Sequence, residues 1–501
     1  MVIELTAARA LAPLFGTSLY VWTNVIGVVL LALAAGYWIG GQLADRRPEA
    51  ALLGRLVLVA AALTVPAPFL AVPLGTWLMP EPEALSPLVT TGHVVRGSLA
   101  ATLVLFAPPL FLLGMVGPFV TRCLVDLGFN GGQAAGQTLA VSTLGSLFGT
   151  YLPAHLLIEH LGVRATLLSA SGLLLVAAIV LMLPGRRATT PAALLLIVVG
   201  LVVWTPGLPV RDVIDAGSLG EEVEIVEELE TAYQYVRVSR WRIGEGEDAV
   251  SELRLSLDEG ATEFHSVLRM DQVLTGYYYD YFALLPELFQ QRATRPLDVV
   301  IIGGGAGTMP RQLRKLHPDT LRRIVSVEID PGVAALAATF DWSPGVNDLS
   351  VVADGRWMLA TVDHRFDLVI LDAYARQVAV PPHLGTVEFF ELVKKRLTPR
   401  GIFAMNVSTH DLGSPLFRAL SRTVMEVFPS TAAVSVPGSW NVVLLAAAEP
   451  GRSFRPDRAS KELQGVLSAF RSGLIPLPDP GDGAVLLVDD KAPLEQLARQ
   501  R

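Results

Sequence analysis

A single cysteine, Cys123, stands in a chain of 501 residues. No disulfide can close within the chain, and no cysteine-based metal site can form. Charge is scarce as well. Asp, Glu, Lys and Arg together make up 17%, and residues 1–206 contain no lysine. Nowhere do Lys and Arg cluster into the surface that a polyphosphate needs, which excludes a nucleic acid as partner. No cleavable signal peptide is expected, because the first sixteen residues carry Glu4 and Arg9 and lack a basic start followed by an apolar block.

What fills the chain is apolar: hydrophobic residues are 51% and the mean hydropathy is +0.48. The excess is uneven. Of 39 Lys+Arg and 47 Asp+Glu, only nine and seven fall in residues 1–206. The remainder is therefore a normally charged, acidic, soluble part. Its acidity suits a cationic substrate, although solubility alone also accounts for it. In the first part, Leu19–Leu43, Leu52–Leu78, Gly97–Val120, Gln133–Leu157, Ala165–Leu183 and Pro191–Trp204 each approach the ~20 residues of a spanning helix. With the first sixteen residues as a further short span or a surface helix, six or seven spans are expected, and a lipid bilayer is the implied partner. Polar residues within these runs (Asn24, Ser142, Thr143, His155) are too sparse to mark a transport path.

The orientation signals conflict. Arg46 with Arg47, Arg122, and Arg186 with Arg187 fall in alternate loops, which places those loops in the cytoplasm. Glu81 and Glu83 then lie outside. One more span over Pro191–Trp204 carries the soluble part outside too, whereas the chemistry read below places it in the cytoplasm.

Pro206–Asp215 reads as a linker. Val223–Gly260 alternates apolar and polar residues in two pieces, the pattern of a small antiparallel sheet. From Leu297 the pattern becomes strand, helix, strand, which implies a parallel sheet. Strands are expected at Val299–Ile302, Ile324–Val327, Leu349–Val352, Leu368–Leu371, Gly401–Asn406, Ala432–Val436 and Asn441–Ala447. The domains expected are 1–206, transmembrane and helical; 207–290, a small β domain; and 291–501, an α/β Rossmann-like domain.

The chemistry concentrates in Leu297–Asp330, LDVVIIGGGAGTMPRQLRKLHPDTLRRIVSVEID. An apolar strand runs into Gly303, Gly304, Gly305, Ala306 and Gly307; a helix follows, then a strand that closes on Glu328. This is the unit that holds an adenosyl group against the carboxyl ends of a parallel sheet. Glu328 is placed to accept from both ribose hydroxyls. Asp354, before Gly355, follows the third strand and is placed to accept from an adenine amino group. Asp372 follows the fourth, beside the crevice where the reactive end of the ligand lies. The glycine spacing is not G-x-G-x-x-G, which argues against a nicotinamide cofactor.

These residues resemble the spermidine synthase family, the polyamine aminopropyltransferases, through most of residues 230–410. Tyr233-Gln234 is similar to the family's Tyr-Gln, whose Gln touches the coenzyme. GYYYDYFALLP, Gly276–Pro286, is similar to a Tyr-His-Glu segment, with Tyr278 on the Tyr, Tyr279 on the His and Asp280 on the Glu. Val325–Asp330 resembles V-x-V-E-I-D, Asp354-Gly355 the family's Asp-Gly, and Asp372 its catalytic Asp. The membrane half and the tail LLVDDKAPLEQL resemble a membrane-fused branch. The resemblance implies a class I methyltransferase-type fold, S-adenosylmethionine or its decarboxylated form as co-substrate with no metal, an amine acceptor and a homo-oligomer. Asp372 is the implied base with Tyr278 as its hydrogen-bond partner; Gln234, the four glycines of the loop, Glu328, Asp354 and Gly355 hold the donor.

The departures point elsewhere. Ala306 stands where the family loop has the Asp that holds the donor's amino end. Ala375 stands where a second Asp grips the amine, and Tyr279 replaces the His. Tyr279, Asp280, Tyr374 and Arg376 become the candidate substrate contacts. Arg376, with Gln377 and His383, suits an acidic acceptor or the carboxylate of intact S-adenosylmethionine, or else forms a solvated lid. His265-Ser266 either lines the cleft or is structural, and Asp489-Asp490 of the tail is a candidate to replace the acid missing at Ala375. The resulting expectation is a membrane-anchored aminopropyl transferase. The alternatives are a methyltransferase and a non-catalytic transport or sensing protein that binds an adenosyl metabolite.

Overall fold

The computed structural model describes all residues except 16–18, 79–86, 184–188, 205–221, 245–248, 258–263, 290–294, 375–379, 410 and 499–501. The linker at Pro206–Asp215 and the side chains of Ala375, Arg376 and Gln377 lie outside the described residues. Two compact units emerge, one built mainly from Met1–Asp215 and the other mainly from Val236–Leu257 and Thr262–Arg501.

The first unit is helical: α1 (Val2–Phe15), α2 (Leu19–Arg46), α3 (Ala50–Thr64), α4 (Ala67–Leu78), α5 (Pro87–Leu105), α6 (Ala107–Gly114), α7 (Val116–Asp126), α8 (Gly131–Leu152), α9 (Ile158–Met182) and α10 (Thr189–Trp204). Among the described residues three helices, Tyr20–Arg46, Ala107–Asp126 and His160–Met182, are long and apolar enough to cross a membrane, or up to four counting a bent pair. The difference from six or seven has physical causes. The run at Leu52–Leu78 is bent by 51° between Thr64 and Ala67, where Pro66 has no N–H to continue the helical bonding. Gly97–Val120 breaks at Phe106, just before the prolines in the first turn of α6. In α8, Gln133, Gln137, Thr138, Ser142, Thr143, Ser146 and Thr150 recur along the whole length. Glycine sets the closest approach: a Cβ on Gly36 of α2 would lie 2.2 Å from the Phe111 carbonyl oxygen of α6, and one on Gly114 would lie 2.8 Å from that of Leu33. Such contacts bring the two helix backbones together without an intervening side chain.

The second unit holds two sheets. The smaller has the order β1-β2-β3-β4, formed by Glu222–Glu230, Tyr235–Ile243, Val250–Leu257 and Ser266–Arg269. The larger has the order β12-β10-β11-β9-β8-β5-β6-β7, from β5 (Leu297–Ile302), β6 (Leu321–Glu328), β7 (Leu349–Val352), β8 (Phe366–Leu371), β9 (Leu397–Ser408), β10 (Ser430–Ser435), β11 (Asn441–Ala447) and β12 (Leu474–Pro476). All seven expected strands are present. The run β9-β8-β5-β6-β7 is parallel, and β11 and β10 continue it antiparallel. This is a Rossmann-like sheet. Its central strands are apolar on both faces because helices cover both. Val300 and Ile302 pack with Phe389 and Phe390 of α15 (Val387–Arg396) and Leu420 of α16 (Pro415–Val427). Val299 and Ile301 alternate to the other face, with Met309 and Leu313 of α12 (Thr308–Leu316) and Phe282 of α11 (Tyr279–Ala283). The chain leaves β5 towards β6 on one side and has β8 on the other, so the crevice opens at the carboxyl ends of β5 and β8.

Gly36→Leu is expected to force α2 and α6 apart and to lower the melting temperature of the detergent-solubilised protein, a loss of about 1–3 kcal/mol. Gly27→Leu in the same helix, where an added Cβ meets nothing within 4 Å, leaves it unchanged.

Candidate active site

The glycine turn is built where backbone meets backbone. Gly303 has φ 84°, Gly305 φ 53° and Gly307 φ 98°, a region costing other residues ~1–2 kcal/mol. A Cβ on Gly303 would lie 2.5 Å from the carbonyl oxygen of Asp372, and one on Gly304 2.0 Å from Ser326 Oγ. The turn therefore sits directly on the ends of β8 and β6. Ser266 and Thr308 fasten it to β4: Ala306 N donates to Ser266 Oγ at 2.9 Å, and Thr308 Oγ1 accepts from Val267 N at 2.9 Å and donates to Val267 O at 3.0 Å. Of the pair His265-Ser266, the serine thus has a defined part in the cleft. Ala306 is fully buried.

Glu328 ends β6. Its Oε2 accepts from Gly305 N at 3.0 Å and its Oε1 from Asp330 N at 3.1 Å. Burial pushes this carboxyl upward, against those N–H bonds. The acid is thereby held against the glycine turn by backbone N–H groups.

Asp372 follows β8, its N–H donating to Ile302 O at 2.8 Å. Its Oδ2 accepts from Tyr278 Oη at 2.9 Å and its Oδ1 from Asn406 Nδ2 at 2.8 Å. Burial raises this carboxyl to about 7; Asn406, Tyr278 and the nearby charge of His265 pull the other way without prevailing. Burial, reinforced by the Asp372 charge, holds the Tyr278 phenol well above its ordinary value, so it remains a donor. Tyr279 stacks on Tyr278 with centroids 4.1 Å apart. Its side chain is 1% exposed, and burial, reinforced by the Asp372 charge, raises its phenol above the ordinary range.

Three candidates have different work. Asp280 was expected to contact substrate, but it is buried and its carboxylate accepts from Thr275 N, Thr275 Oγ1, Gly276 N and Gln312 Nε2 at 2.6–2.9 Å. It fastens the turn that leads into Tyr277–Tyr279. Tyr374 was expected likewise, yet its hydroxyl donates to Asn406 O at 2.7 Å and accepts from Ser408 N at 2.9 Å. It satisfies the edge of β9 where β8 has stopped pairing. Asp489 does not take the place of an acid at Ala375: Arg356 donates to both its oxygens at 2.7 and 2.6 Å, and Thr386 Oγ1 to one at 2.8 Å.

Asp354 lies between two tasks. It caps α14 (Gly355–Thr361) by accepting from Trp357 N at 2.8 Å, and its other oxygen meets His383 Nε2 at 2.8 Å. Burial alone raises this carboxyl, but the Trp357 and His383 contacts outweigh it and hold it below the usual range. Gly355 packs on the end of β5, where its Cβ would lie 2.2 Å from Ile302 Cγ2. Gln234 lies in the turn between β1 and β2, its carbonyl accepting from Thr231 N at 2.9 Å; Arg376 is outside the described residues. The sequence reading missed Asn406 and Asn441. The one signal was a lone amide in the apolar run of β9. Among the described residues no cluster of three or more His, Cys, Asp or Glu is placed to hold a metal ion.

Residues 278–442 match the spermine/spermidine synthase domain. The chain is 28% identical over 298 residues to the probable polyamine aminopropyl transferase of Bifidobacterium longum, a match covering 55% of this chain and 63% of that protein, less than two thirds of its length. It is 25% identical over 480 residues to polyamine aminopropyltransferase 2 of Ralstonia nicotianae, covering 90% of this chain and 85% of the relative. It is also 27% identical over 180 residues to the eEF1A lysine and N-terminal methyltransferase of Danio rerio, covering 34% and 25%. Among solved structures, a probable spermidine synthase from Corynebacterium glutamicum aligns at 21% identity with a TM-score of 0.43, over 54% of this chain and 99% of that one.

Gly303→Ala is expected to combine left-handed strain with the clash at Asp372 and to destabilise the second unit by about 2–4 kcal/mol. Thermal unfolding reads the loss, and adenosyl-ligand affinity falls with it.

Proposed function

We propose that this chain, which carries a spermine/spermidine synthase domain over residues 278–442, is a membrane-anchored transferase that moves an aminopropyl group from decarboxylated S-adenosylmethionine to an amine. The observation that carries the reading is Asp372: a part-buried carboxylate at the carboxyl end of β8, held by Tyr278 and Asn406 and raised to about 7.

Glu328 accepts from the ribose hydroxyls of the donor, the Gly303–Gly307 backbone lies under it, and Asp354, released from His383, accepts from the adenine amino group. The amine nitrogen attacks the carbon bonded to the sulfonium; a C–N bond forms, the C–S bond breaks and a neutral thioether leaves. That leaving group needs little acid help. The nucleophile needs to lose a proton. Transfer from an ammonium of pKa ~10.4 to an ordinary aspartate near ~3.9 is uphill by about 9 kcal/mol, and to a carboxylate of pKa about 7 by about 5 kcal/mol. The raised value therefore improves the base while leaving it ionised in mildly alkaline solution. In-line placement of nitrogen and sulfonium supplies a further share of the acceleration.

Three helices of spanning length support anchoring in the cell membrane as a multi-pass protein, with the catalytic domain on the cytoplasmic side where the donor is made. A second reading, methyl transfer from intact S-adenosylmethionine, is favoured by Ala306, whose buried methyl offers nothing to a donor's amino end.

Calorimetric titration with both forms of the donor, followed by product analysis with candidate amines, separates the readings. Preference for the decarboxylated form with aminopropylated product supports the proposal; preference for the carboxylated form with methylated product overturns it, and binding without turnover favours a sensor.

Asp372→Asn is expected to reduce turnover at least a hundredfold while leaving donor affinity within about threefold. Its effect on stability follows from the same shift. An acid whose folded pKa is raised destabilises the fold as pH climbs from its unfolded value through about 7, so Asp372→Asn gains stability at pH 8, and the gain vanishes below about pH 4. Melting curves at the two pH values check the sign.

A further inference from the structure

The two donors on Asp372 differ in kind. Tyr278 offers a hydroxyl whose raised pKa keeps its proton in place. Asn406 offers an amide, and a terminal amide has a donor end and an acceptor end. Turned by half a revolution it would present oxygen to the carboxylate. Something has to decide which end faces Asp372.

Asn441 does so. Its Nδ2 donates to Asn406 Oδ1 at 3.0 Å, which leaves the Asn406 Nδ2 for Asp372 Oδ1 at 2.8 Å. The two asparagines stand on antiparallel neighbours, with Val443 opposite Asn406 and Asn441 opposite Ser408, so their side chains are diagonal partners on one face. Asn406 is 2% exposed, and its carbonyl is separately held by the Tyr374 hydroxyl. The backbone is thus pinned, and the amide orientation is the freedom that remains.

We propose that Asn441 is a positioning residue for the transfer reaction: by fixing which end of the Asn406 amide faces Asp372, it sets the aim and the proton affinity of that carboxylate. This rests on the transferase reading of Asp372. Without the clamp, Asn406 turns its oxygen to Asp372 for part of the time. That orientation is tolerated only when the carboxyl carries a proton to donate, so the protonated form gains. The other titratable groups facing Asp372 are Tyr278 and Tyr279 at the start of α11, Tyr374 after β8, and His265 before β4. Burial keeps the three phenols protonated through neutral pH, which leaves the His265 imidazole as the neighbour whose ordinary range overlaps.

The test reads Asp372 directly. Full-length protein carrying 13C-carboxyl aspartate is titrated by NMR, with Asp372→Asn to assign the resonance and His265→Gln to remove the overlapping group. Asn406→Leu is expected to raise the midpoint by about one unit, a tenfold gain in proton affinity. Asn441→Leu raises it by a smaller amount in the same direction, and Asn441→Gln returns it towards the starting value. In the Asn406→Leu background, Asn441→Leu adds nothing, because its effect travels through Asn406. The acid limb of the kcat/KM profile moves with each midpoint. Asn441→Thr, of similar volume and without an amide, stands in wherever Asn441→Leu does not fold.

An unmoved midpoint in Asn441→Leu and Asn441→Thr overturns the proposal, as does a shift that persists in the Asn406→Leu background. Failure of the transferase reading looks different: the ranking of midpoints holds, but the wild-type protein transfers no aminopropyl group.

Discussion

The second unit depends on how closely two backbones meet. At the carboxyl ends of β5 and β8 the Asp372 N–H donates to Ile302 O, and the next residue, Gly303, comes so near the Asp372 carbonyl that even a methyl group has no room. Two parallel strands end side by side there, and their loops turn away in opposite directions. The glycine turn is thereby pressed under Glu328, and Asp372 is carried to the rim of the same hollow.

The strands were legible because each is a short apolar run bounded by glycine, proline or an acid, and a parallel sheet covered on both faces makes such runs continuous. Glu328, Asp354 and Asp372 were legible as strand-end acids for the same reason. Their hydrogen bonds were not. Asp280 takes its donors from Thr275, Gly276 and Gln312, and Tyr374 answers two groups on a strand more than thirty residues away. No spacing in the chain announces pairings that only the folded sheet brings together. Asn406 shows the same limit from the other side: a lone amide in IFAMNVS is visible, but its purpose requires knowing that Asp372 stands beside it. In the helical unit, hydropathy located the runs but not their bends, because Pro66 and the prolines that open α6 redirect the chain without making it less apolar.

Carboxylates that look alike in the sequence divide into two kinds. Asp280 and Asp489 are saturated by donors of the chain itself. Asp372 and Glu328 sit where burial raises their proton affinity. Asp354 is intermediate, one oxygen taken by Trp357 N and the other by His383. Burial raises Asp372 and Glu328, whereas contacts with a cation or an N–H hold Asp354 and Asp489 below the usual range.

The clasp between Arg356 and Asp489 has a bearing on the order in which the second unit is completed. The contacts around the glycine turn and Asp354 are drawn from Ser266 through to Asp489, so a ribosome that has released the glycine turn has produced only part of them. Asp372 meets Asn406 only once β9 has followed, Asn441 joins them with β11, and the contact between Arg356 and Asp489 closes later still. Until translation reaches the final stretch, Arg356 and Thr386 stand without the carboxylate that ties them together in the finished fold.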